Sequence, residues 1–585
     1  MTAILAGIEV ESTRAGRRRY DEWITSEWPS RTSSHPRTLH RPTVRPSVGS
    51  CKIGRVPDQS VLRNFAVLIV LGAIPATAGD SGPMVVVTGG QVRGLLRNKG
   101  GAVFKGIPFA QPPVGDLRWR EPMPVKPWSG VRDETAFGAP CVQNPYFIRN
   151  AQEVSREDCL FLNIWSPEWP SKSRKPVMVW IPGGGNFGGA SGDGVNNGEN
   201  LARHGVVVVT INYRLGLFGF FAHPELTRES PHHASGNQGI LDQIAALRWV
   251  RQNIAKFGGD PANVTIFGES AGSSDVSALM TSPLSKGLFR HVIGESGAVT
   301  AITPNGNTML HGNPLTLAQA EKQGQAFAEQ WTGGAASLNT LRAVPADEIL
   351  RKEPNFLRSP PQDLGITLDG YVFPRRPADV FAAGQEQRVD LLLGNNSRER
   401  IPGTTPPSDL KEAIEASYGP IASRALTIYV GAADPLYGTP ADQWATDTSF
   451  RCSAVLQLMW HAAAGNSAFE FQFDRTPPGR ESVGATHASE LEYVFNTFGT
   501  FGLMQSPAAH YGAVDLAISD AMQQYWTNFA KTGNPNGGKL PQWPEFDPAA
   551  RAYIEFTDVR PAAREGLRRP YCDLYIEHVK QLMEK

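Results

Sequence analysis

The chain has 585 residues, and its 56 Lys and Arg residues balance its 56 Asp and Glu residues, so the formal net charge is zero. A chain without net charge has no overall field that attracts nucleic acid or an anionic membrane, and we expect neither as a partner. The hydrophobic fraction of 41% is typical of a globular protein with a large core.

Residues 1–60 differ in composition from the rest of the chain. They contain Arg17-Arg18-Arg19 and a stretch rich in Ser, Thr, Pro and Arg from Ser30 to Ser47, without sustained apolar periodicity. Such a segment cannot bury enough apolar surface to fold alone, so we expect it to be disordered. If translation begins near Val61, residues 1–60 are not made at all.

Residues 61–78 have the pattern of a secretory signal peptide. Arg63 precedes the ten-residue apolar run Phe65–Ile74, and Ala76 and Ala78 provide the small side chains of a cleavage site. A bilayer span takes about 20 apolar residues, so no stable membrane span is expected from this run. We predict an exported protein, secreted or periplasmic. The alternatives are a buried core helix and an N-terminal extension that keeps the apolar run as an anchor.

Residues 79–585 are predicted to form one α/β domain. Strands that alternate with helices indicate a mostly parallel sheet, in which ligands bind at the carboxyl ends of the strands. Helical spacing predicts helices at Leu241–Phe257 and within Leu315–Asp363, the latter as part of a cap region. Apolar or β-branched runs predict a hairpin of Met84–Val87 with Gln91–Leu95, and further strands at Pro176–Ile181, Val206–Tyr213, Val264–Phe267, Leu288–Gly294, Val389–Leu393, Ala468–Phe473 and Tyr553–Phe556.

Gly268-Glu269-Ser270-Ala271-Gly272 is the most informative motif of the domain. It follows the predicted strand Val264–Phe267 and precedes small residues suited to the start of a helix. A strand that enters a helix through Gly-x-Ser-x-Gly is the context of a nucleophile elbow, which exposes the serine hydroxyl and leaves the next backbone N–H free. The motif predicts Ser270 as a nucleophile, and a chance match in a glycine-rich chain is the alternative.

Several further stretches of the domain resemble one protein family. Besides the elbow, they are Phe104–Gly115, Leu117–Trp119, Glu157–Trp165, Gly236–Gly239, Ala245–Val250 and Trp526–Asn536. From about Val85 to the C-terminus the chain resembles the type B carboxylesterase family, the cholinesterase-like branch of the α/β-hydrolases. The resemblance implies an α/β-hydrolase fold, with a large, mostly parallel central sheet flanked by helices and a helical cap region.

The resemblance also implies a catalytic triad in the chain order Ser, acid, His. It places the acid at Glu399, after the predicted strand Val389–Leu393, and the base at His487. A serine hydroxyl is a poor nucleophile near neutral pH, so it needs a base whose tautomer is fixed by a third group. The alternative for Glu399 is a solvated carboxylate in an Arg/Glu turn. The family usually has glycine in place of Arg400, and this cation could compete for the carboxylate.

The oxyanion hole is expected in the glycine-rich loop after the strand Pro176–Ile181. The resemblance implies the backbone N–H groups of Gly184, Gly185 and Ala271 as donors. The family usually has His or Tyr before the three glycines and Phe directly after them, whereas this chain has Pro182 and Asn186 there. Backbone donors require no particular side chain, so both departures are compatible with the prediction. The alternative is a structural glycine-rich turn.

Other residues that look functional are expected to be structural. His291 lies beside a predicted strand and His461 in an apolar helical stretch, so neither is expected to be the base. Gly294-Glu295-Ser296-Gly297-Ala298 resembles a second elbow but lacks the second flanking glycine, and the family has a structural serine there. Arg118 and Glu157 match an ion pair of the family that ties the N-terminal strands to a disulfide loop.

The five cysteines suit an exported protein, because disulfides persist in oxidising compartments. By resemblance, Cys141 and Cys159 form a bridge that closes a short loop. Cys452 and Cys572 fit a second, long-range bridge of cholinesterase-like members. Free buried cysteines are the alternative, since sequence alone does not fix connectivity. Cys51 is left over, within the segment that we expect to be disordered or untranslated.

The resemblance implies a carboxylic ester hydrolase that acts on small-molecule esters through a covalent acyl-enzyme on Ser270. This chemistry needs no metal and no organic cofactor. The alternatives are a serine amidase or peptidase on the same fold and a non-catalytic binding protein. The loop between Cys141 and Cys159 contains Tyr146 and Phe147 but no tryptophan. Cholinesterases hold the quaternary ammonium of choline on a tryptophan of this loop by cation–π attraction, so choline esters are not expected as substrates. The acyl-chain preference and the oligomeric state stay open.

Overall fold

The computed structural model describes residues 82–145, 151–302, 312–352, 365–401, 407–500 and 510–584. The predictions for residues 1–60 and 61–78 therefore lie outside the described residues. The strands are β1 (Met84–Val87), β2 (Gly90–Arg93), β3 (Leu95–Leu96), β4 (Ala102–Pro108), β5 (Val131–Asp133), β6 (Phe161–Ser166), β7 (Lys175–Ile181), β8 (Val207–Ile211), β9 (Gly259–Glu269), β10 (His291–Glu295), β11 (Leu315–Thr316), β12 (Thr367–Leu368), β13 (Asp390–Asn396), β14 (Ala468–Phe473), β15 (Ala552–Phe556) and β16 (Ala562–Glu565).

The described α-helices vary from single turns to the 20-residue helix near the C-terminus. They are α1 (Ala151–Val154), α2 (Glu199–Ala202), α3 (Gly216–Gly219), α4 (Pro224–Glu229), α5 (Gln238–Asn253), α6 (Ala271–Leu279), α7 (Leu317–Thr332), α8 (Leu338–Ala343), α9 (Ala346–Lys352), α10 (Pro377–Ala382), α11 (Leu410–Tyr418), α12 (Ala422–Ile428), α13 (Pro440–Thr446), α14 (Cys452–Ala463), α15 (Leu491–Val494), α16 (Ala513–Thr532) and α17 (Arg569–Met583). A π-helix, Asp447–Arg451, joins α13 to α14.

An 11-stranded sheet organises the fold, in the order β16-β15-β14-β13-β10-β9-β7-β8-β6-β4-β3. The strands from β15 to β8 pair in parallel with their neighbours, whereas the pairings at the two ends are antiparallel. This arrangement is the mostly parallel sheet that the sequence predicts. Parallel strands place their carboxyl ends at one edge, where the predicted site residues follow β7, β9, β13 and β14.

Two hydrophobic clusters lie on opposite faces of this sheet. Along β7, Val177, Val179 and Ile181 belong to one cluster, while Met178 and Trp180 belong to the other. Alternate residues of a strand point to opposite faces, so β7 is buried on both sides. This double burial explains why the central strands are continuous apolar runs in the sequence.

Several predicted strands differ from the structure by a few residues at their ends, among them β8, β9, β10 and β13. The predicted hairpin and the predicted helix Leu241–Phe257 also differ. The predicted strand Gln91–Leu95 is divided, because β2 pairs with β1 and then the chain turns at Gly94 so that Leu95 joins the large sheet through β4. A Cβ on Gly94 would lie 2.4 Å from the Val103 carbonyl oxygen, so only glycine allows this approach. Helix α5 begins at Gln238 and ends at Asn253, and a short 3₁₀ turn continues to Phe257.

The predicted helical segment Leu315–Asp363 is described as far as Lys352. It contains α7, α8 and α9, as its spacing predicts, while its first two residues form β11 and pair with β12. The rest of the segment lies outside the described residues. Among the residues that are described, no helix is long and apolar enough to cross a membrane.

Covalent and ionic links hold the periphery of the domain. The structure contains both expected disulfides, Cys141–Cys159 and Cys452–Cys572. Arg118 forms the expected ion pair with Glu157 through Nε and Nη2, at 2.6 and 2.5 Å. The same guanidinium donates to the carbonyls of Arg342 and Val344, so it also links the N-terminal region to the loop after α8.

Candidate active site

Ser270 lies at the sharp connection between β9 and α6. Its backbone has φ 57° and ψ −122°, which is a strained conformation for a residue with a side chain. The flanking glycines are required by space, because a Cβ on Gly268 would lie 2.6 Å from the Gly272 backbone and one on Gly272 would lie 2.2 Å from the Ile181 carbonyl oxygen. The side chain is half-buried. The local geometry is that of the predicted elbow.

Glu399 and His487 are brought together although 88 positions separate them in the chain. His487 Nδ1 lies 2.7 Å from Glu399 Oε2, and both side chains are buried. An ionised carboxylate only accepts hydrogen bonds, so this contact places the proton on Nδ1 and leaves Nε2 as the basic nitrogen. Glu399 Oε1 accepts from Ser296 Oγ at 2.7 Å and from the Asn396 backbone N–H at 2.6 Å.

The other ring nitrogen of His487 faces a second carboxylate, Glu269, the variable residue of the elbow motif. His487 Nε2 lies 3.1 Å from Glu269 Oε1, without the alignment of a hydrogen bond. Among the described residues His487 Nε2 has no hydrogen-bond partner, so Ser270 is not bonded to it. In enzymes without substrate this contact is often poorly aligned and tightens in the complex.

The charges around His487 change its acidity. Burial alone lowers the pKa of His487, but the negative charges of Glu269 and Glu399, together with the hydrogen bond to Glu399, raise this pKa overall. Burial raises the pKa of Glu269 to about 7; His487 opposes this shift and the charge of Glu399 adds to it. The site therefore combines a histidine of raised basicity with a carboxyl group that titrates near neutral pH.

Two more buried carboxyl groups lie behind these residues. Burial raises the pKa of Glu295 to about 8, although Trp526 Nε1 donates to its Oε1 at 2.8 Å. Burial and the charges of Glu269, Glu295 and Glu399 raise the pKa of Glu490 well above its usual value. Buried carboxyl groups with strongly shifted pKa values cluster at functional sites. No motif in the sequence indicates this cluster, because its members are single glutamates far apart in the chain.

The glycine-rich loop after β7 carries two of the predicted oxyanion donors. Gly184 and Gly185 have φ of 109° and 64°, in the left-handed region that favours glycine. The third predicted donor, Ala271, is the first residue of α6. Within the described ranges, none of these three N–H groups donates a hydrogen bond to another residue. The hydrogen bonds of the described fold therefore use none of the three predicted donors.

A buried arginine supports the loop that carries Glu399. Arg451, the last residue of the π-helix, donates from Nη2 to the carbonyl oxygen of Ser397 at 2.7 Å and forms an ion pair with Asp447. The Glu399 N–H donates to Thr446 Oγ1 at 3.1 Å. The neighbouring Arg400 is exposed and forms no ion pair with any described residue. The described contacts thus show no competition by Arg400 for the Glu399 carboxylate.

The remaining candidates have other partners. His291 Nδ1 contacts Asp390 Oδ2 at 2.7 Å, and His461 contacts Glu386 and the Val389 carbonyl. Ser296 is fully buried and donates to Glu399. In the described part of the chain, no group of three or more His, Cys, Asp or Glu residues could hold a metal ion.

Two solved structures with the same architecture are esterases. The carboxylesterase EST55 of Geobacillus stearothermophilus matches with a TM-score of 0.71 and 32% identity, over 84% of this chain and 99% of that protein. A PNB esterase matches with a TM-score of 0.72, at the same identity and coverage. The fold is therefore that of the α/β-hydrolase esterases.

Sequence comparisons are more specific about the family. The model of the carboxylesterase family matches residues 81–413 and 437–575. The fumonisin B1 esterase of Sphingopyxis macrogoltabida is 35% identical over 81% of this chain and 87% of its own length. A medium-chain fatty acyl-CoA hydrolase precursor of Anas platyrhynchos is 34% identical over 86% of this chain and 93% of its own length. The chain belongs to the carboxylesterase family, and it is a carboxylic ester hydrolase.

Proposed function

We propose that the chain hydrolyses esters in two steps through an acyl-enzyme on Ser270. In the first step His487 Nε2 takes the proton of Ser270 Oγ, which attacks the ester carbonyl carbon. The carbonyl oxygen becomes an oxyanion, and the N–H groups of Gly184, Gly185 and Ala271 bind it. The carbon–oxygen bond of the ester then breaks, and His487 gives its proton to the leaving alcohol.

In the second step a water molecule takes the place of Ser270 as the nucleophile. His487 removes a proton from this water, the hydroxide adds to the acyl carbon, and the bond to Ser270 Oγ breaks as the proton returns to the serine. Glu399 holds the Nδ1–H tautomer throughout and stabilises the imidazolium that forms in each step.

The observation that carries this proposal is the presence of three features at the edge of the sheet where the parallel strands end. The strained turn presents Ser270, and His487, which lies 2.7 Å from Glu399, also lies 3.1 Å from Glu269, the residue before Ser270. The backbone N–H groups of Gly184, Gly185 and Ala271 make no hydrogen bond to another described residue, and Ala271 directly follows Ser270. A donor of this kind contributes about 2.7–4 kcal/mol to the stabilisation of the transition state in other serine hydrolases.

The surroundings of His487 favour esters with an apolar group on that side. The Phe450 ring centroid lies 4.8 Å from that of His487, and Phe450 packs with Ala301 and Ile401 in a small apolar cluster. The relatives named as a fumonisin B1 esterase and a medium-chain fatty acyl-CoA hydrolase suggest that family members accept diverse acyl groups. We propose small, largely apolar carboxylic esters as substrates, and not choline esters.

The proposal is tested with p-nitrophenyl esters of increasing acyl-chain length and the matching p-nitroanilides. We expect turnover of the esters, a burst of p-nitrophenol equal to the enzyme concentration where deacylation is slow, and little turnover of the anilides. A phosphonate ester should label Ser270, as shown by mass spectrometry of the modified peptide. Labelling of a different residue, or faster anilide than ester turnover, would contradict this mechanism.

We also propose that the protein is exported, with cleavage after Ala78. Two disulfides favour an oxidising compartment, and one relative is named as a precursor. N-terminal sequencing of protein recovered from the medium or periplasm of its native host should give Gly79 as the first residue. A recovered chain that begins at Met1 or Thr2 and keeps Phe65–Ile74 would overturn the proposal.

A further inference from the structure

Asn186 directly follows the glycines of the proposed oxyanion hole, where the resemblance places phenylalanine. Its side chain is 3% exposed, and its φ of 62° is left-handed. Among residues with a side chain, Asn adopts this conformation with comparatively low strain. A polar residue is therefore buried at a position where an apolar one would pack in the core. The hydrogen bonds of its side chain compensate for this burial.

The Asn186 amide joins three elements of the active site. Its Oδ1 accepts from the Tyr213 hydroxyl at 2.7 Å, and its Nδ2 donates to Asp275 Oδ1 at 3.2 Å. The Tyr213 hydroxyl also lies 2.9 Å from the carbonyl oxygen of Pro182, at the start of the same loop. Gln243 Nε2 donates to the second oxygen of Asp275 at 2.5 Å. The residues on both sides of Gly183–Gly185 are thus held by one buried network.

The chemistry of the partners determines the orientation of the Asn186 amide. A carboxylate cannot donate, so the amide nitrogen must face Asp275 and the amide oxygen must face Tyr213. Burial raises the pKa of Tyr213 well above its usual value, and the charge of Asp275 adds to this shift, so the hydroxyl keeps the proton that it shares between Asn186 and Pro182. The opposite orientation would place the amide oxygen against the carboxylate.

Asp275 lies on α6, the helix whose first residue is Ala271. The Asn186–Asp275 bond therefore spans the two halves of the proposed oxyanion hole, with Gly184 and Gly185 on the loop and Ala271 on the helix. We propose that Asn186, held between Tyr213 and Asp275, is a positioning residue that fixes the spacing of these oxyanion donors. This inference rests on the proposed acyl-enzyme mechanism and adds to it a residue that does not touch the substrate.

Loss of a positioning residue raises the free energy of the transition state more than that of the bound ester. Its effect should therefore fall on kcat and not on KM, and the two are measured separately. In Asn186→Ala we expect kcat for a p-nitrophenyl ester to fall about 10- to 100-fold, with KM nearly unchanged. This decrease is at most the one expected when a single oxyanion donor is removed. The affinity for a boronic acid, whose adduct with Ser270 places an oxygen in the hole, should fall by a similar factor.

Asn237→Ala is the matched control. Asn237 is also buried and donates to a buried carboxylate, Asp369 Oδ2 at 2.8 Å, at the start of α5. Both variants should unfold at lower temperature, but only Asn186→Ala should lose kcat and boronic acid affinity. An equal effect of the two variants on kcat, or a lower unfolding temperature of Asn186→Ala with unchanged kcat, would show that the network is only structural.

An exchange of the two side chains tests the contact itself without a change of volume. Asn186→Asp alone places two carboxylates together, and Asp275→Asn alone allows the amide to turn, so each should lower kcat. In the double variant Asn186→Asp/Asp275→Asn, the new amide at position 275 donates to the new carboxylate and accepts from Gln243. We expect it to recover at least half of the lost kcat on a logarithmic scale.

The outcomes separate the two levels of the proposal. Additive losses in the double variant would overturn the positioning role while the wild-type enzyme still hydrolyses esters. A wild-type protein that hydrolyses no ester of the panel would overturn the mechanism and this inference together. If Asn186→Ala does not fold, the volume-conserving exchange still decides the matter.

Discussion

Strands β9 and β10 lie side by side and end in closely similar sequences, Gly268–Gly272 and Gly294–Ala298. Glu269 and Glu295 occupy paired positions in the parallel ladder. The serines that follow them have φ of 57° and 56°. The backbone at both strand ends is therefore strained in the same way, although we propose only one of the two serines as a nucleophile.

The two turns differ in the element that the chain enters next and in the contacts of the serine. After Ser270 the chain enters α6 at once, and the Ala271 N–H is left without an intrahelical partner. No helix follows Ser296 within the described residues 297–302, and its fully buried hydroxyl donates to Glu399 Oε1. A strained turn alone thus does not define a nucleophile. Partial exposure and a free neighbouring N–H distinguish the proposed one.

The second turn also supports the first. The Ser270 N–H donates to the Glu295 carbonyl oxygen at 2.8 Å, and Ser273 Oγ donates to the Gly297 carbonyl oxygen at 2.7 Å. A Cβ on Gly297 would lie 2.3 Å from the Ser270 carbonyl oxygen, so only glycine allows the turns to pack this closely. In the proposed mechanism the first turn therefore carries the chemistry and the second turn supports it, and variants can test this division.

The largest effect is expected from Ser270→Ala. Removal of the hydroxyl would eliminate the proposed acyl-enzyme, and Ser296, the serine of the second turn, is fully buried. We expect kcat for p-nitrophenyl esters to fall at least about 10⁴-fold, with an unchanged unfolding temperature. A variant that keeps wild-type turnover would show that the first turn is not the nucleophilic one.

Glu399→Gln should have the next largest effect, because Glu399 joins the second turn to His487. The new amide would present an N–H to His487 Nδ1, which forces the proton onto Nε2 and removes the base that Ser270 needs. We expect kcat to fall about 10³-fold, with little change in KM. Steady-state kinetics across pH measure this loss, and a decrease of less than about tenfold would argue against Glu399 as the orienting acid.

The sequence predicts much of this site because several of its parts have local signals. The elbow motif follows an apolar strand, and Glu399 and His487 occur in stretches that resemble one family. Local signals fail where distant pairing decides the structure. Strand β13 continues through Gly394-Asn395-Asn396, residues that disfavour strands, because they keep parallel pairing with β14 and are fully buried there.

The supporting residues are invisible in the sequence for the same reason. Asn186 and Asp275 are 89 positions apart, and Arg451 and Ser397 are 54 positions apart. Glu269 occupies the variable position of the elbow motif, where any side chain is allowed, so the motif gives no information about its charge. Only the folded chain shows that this carboxyl group faces His487.

Ser296→Gly should have a moderate effect, since the second turn acts through Glu399. Glycine tolerates the left-handed φ at this position, so the variant removes the hydroxyl without adding backbone strain. Glu399 would keep the Asn396 N–H and His487 as partners. We expect kcat to fall about three- to tenfold at constant KM. A loss as large as that of Ser270→Ala, with a folded protein, would overturn the division of roles between the two turns.

The smallest effect is a shift of the pH profile in Glu269→Gln. Glu295→Gln, at the paired position of the neighbouring strand, is the matched control. In the proposed mechanism ester turnover needs neutral His487, so kcat/KM should rise with pH through the pKa of this histidine. The Glu269 charge raises that pKa, and an amide at position 269 should lower it. The acid limb should therefore move towards lower pH.

Glu295→Gln should leave the acid limb in place. Glu295 accepts a hydrogen bond from the Trp526 indole, and burial raises its pKa to about 8, above the value of about 7 for Glu269, so it carries less charge than Glu269 at the same pH. Profiles of kcat/KM for one p-nitrophenyl ester, measured between pH 5 and 9 with both variants and the wild type, separate the two carboxyl groups. Equal shifts in both variants would mean that a charge at the end of either strand changes the pKa of His487. The proposed electrostatic difference between the two turns would then be wrong.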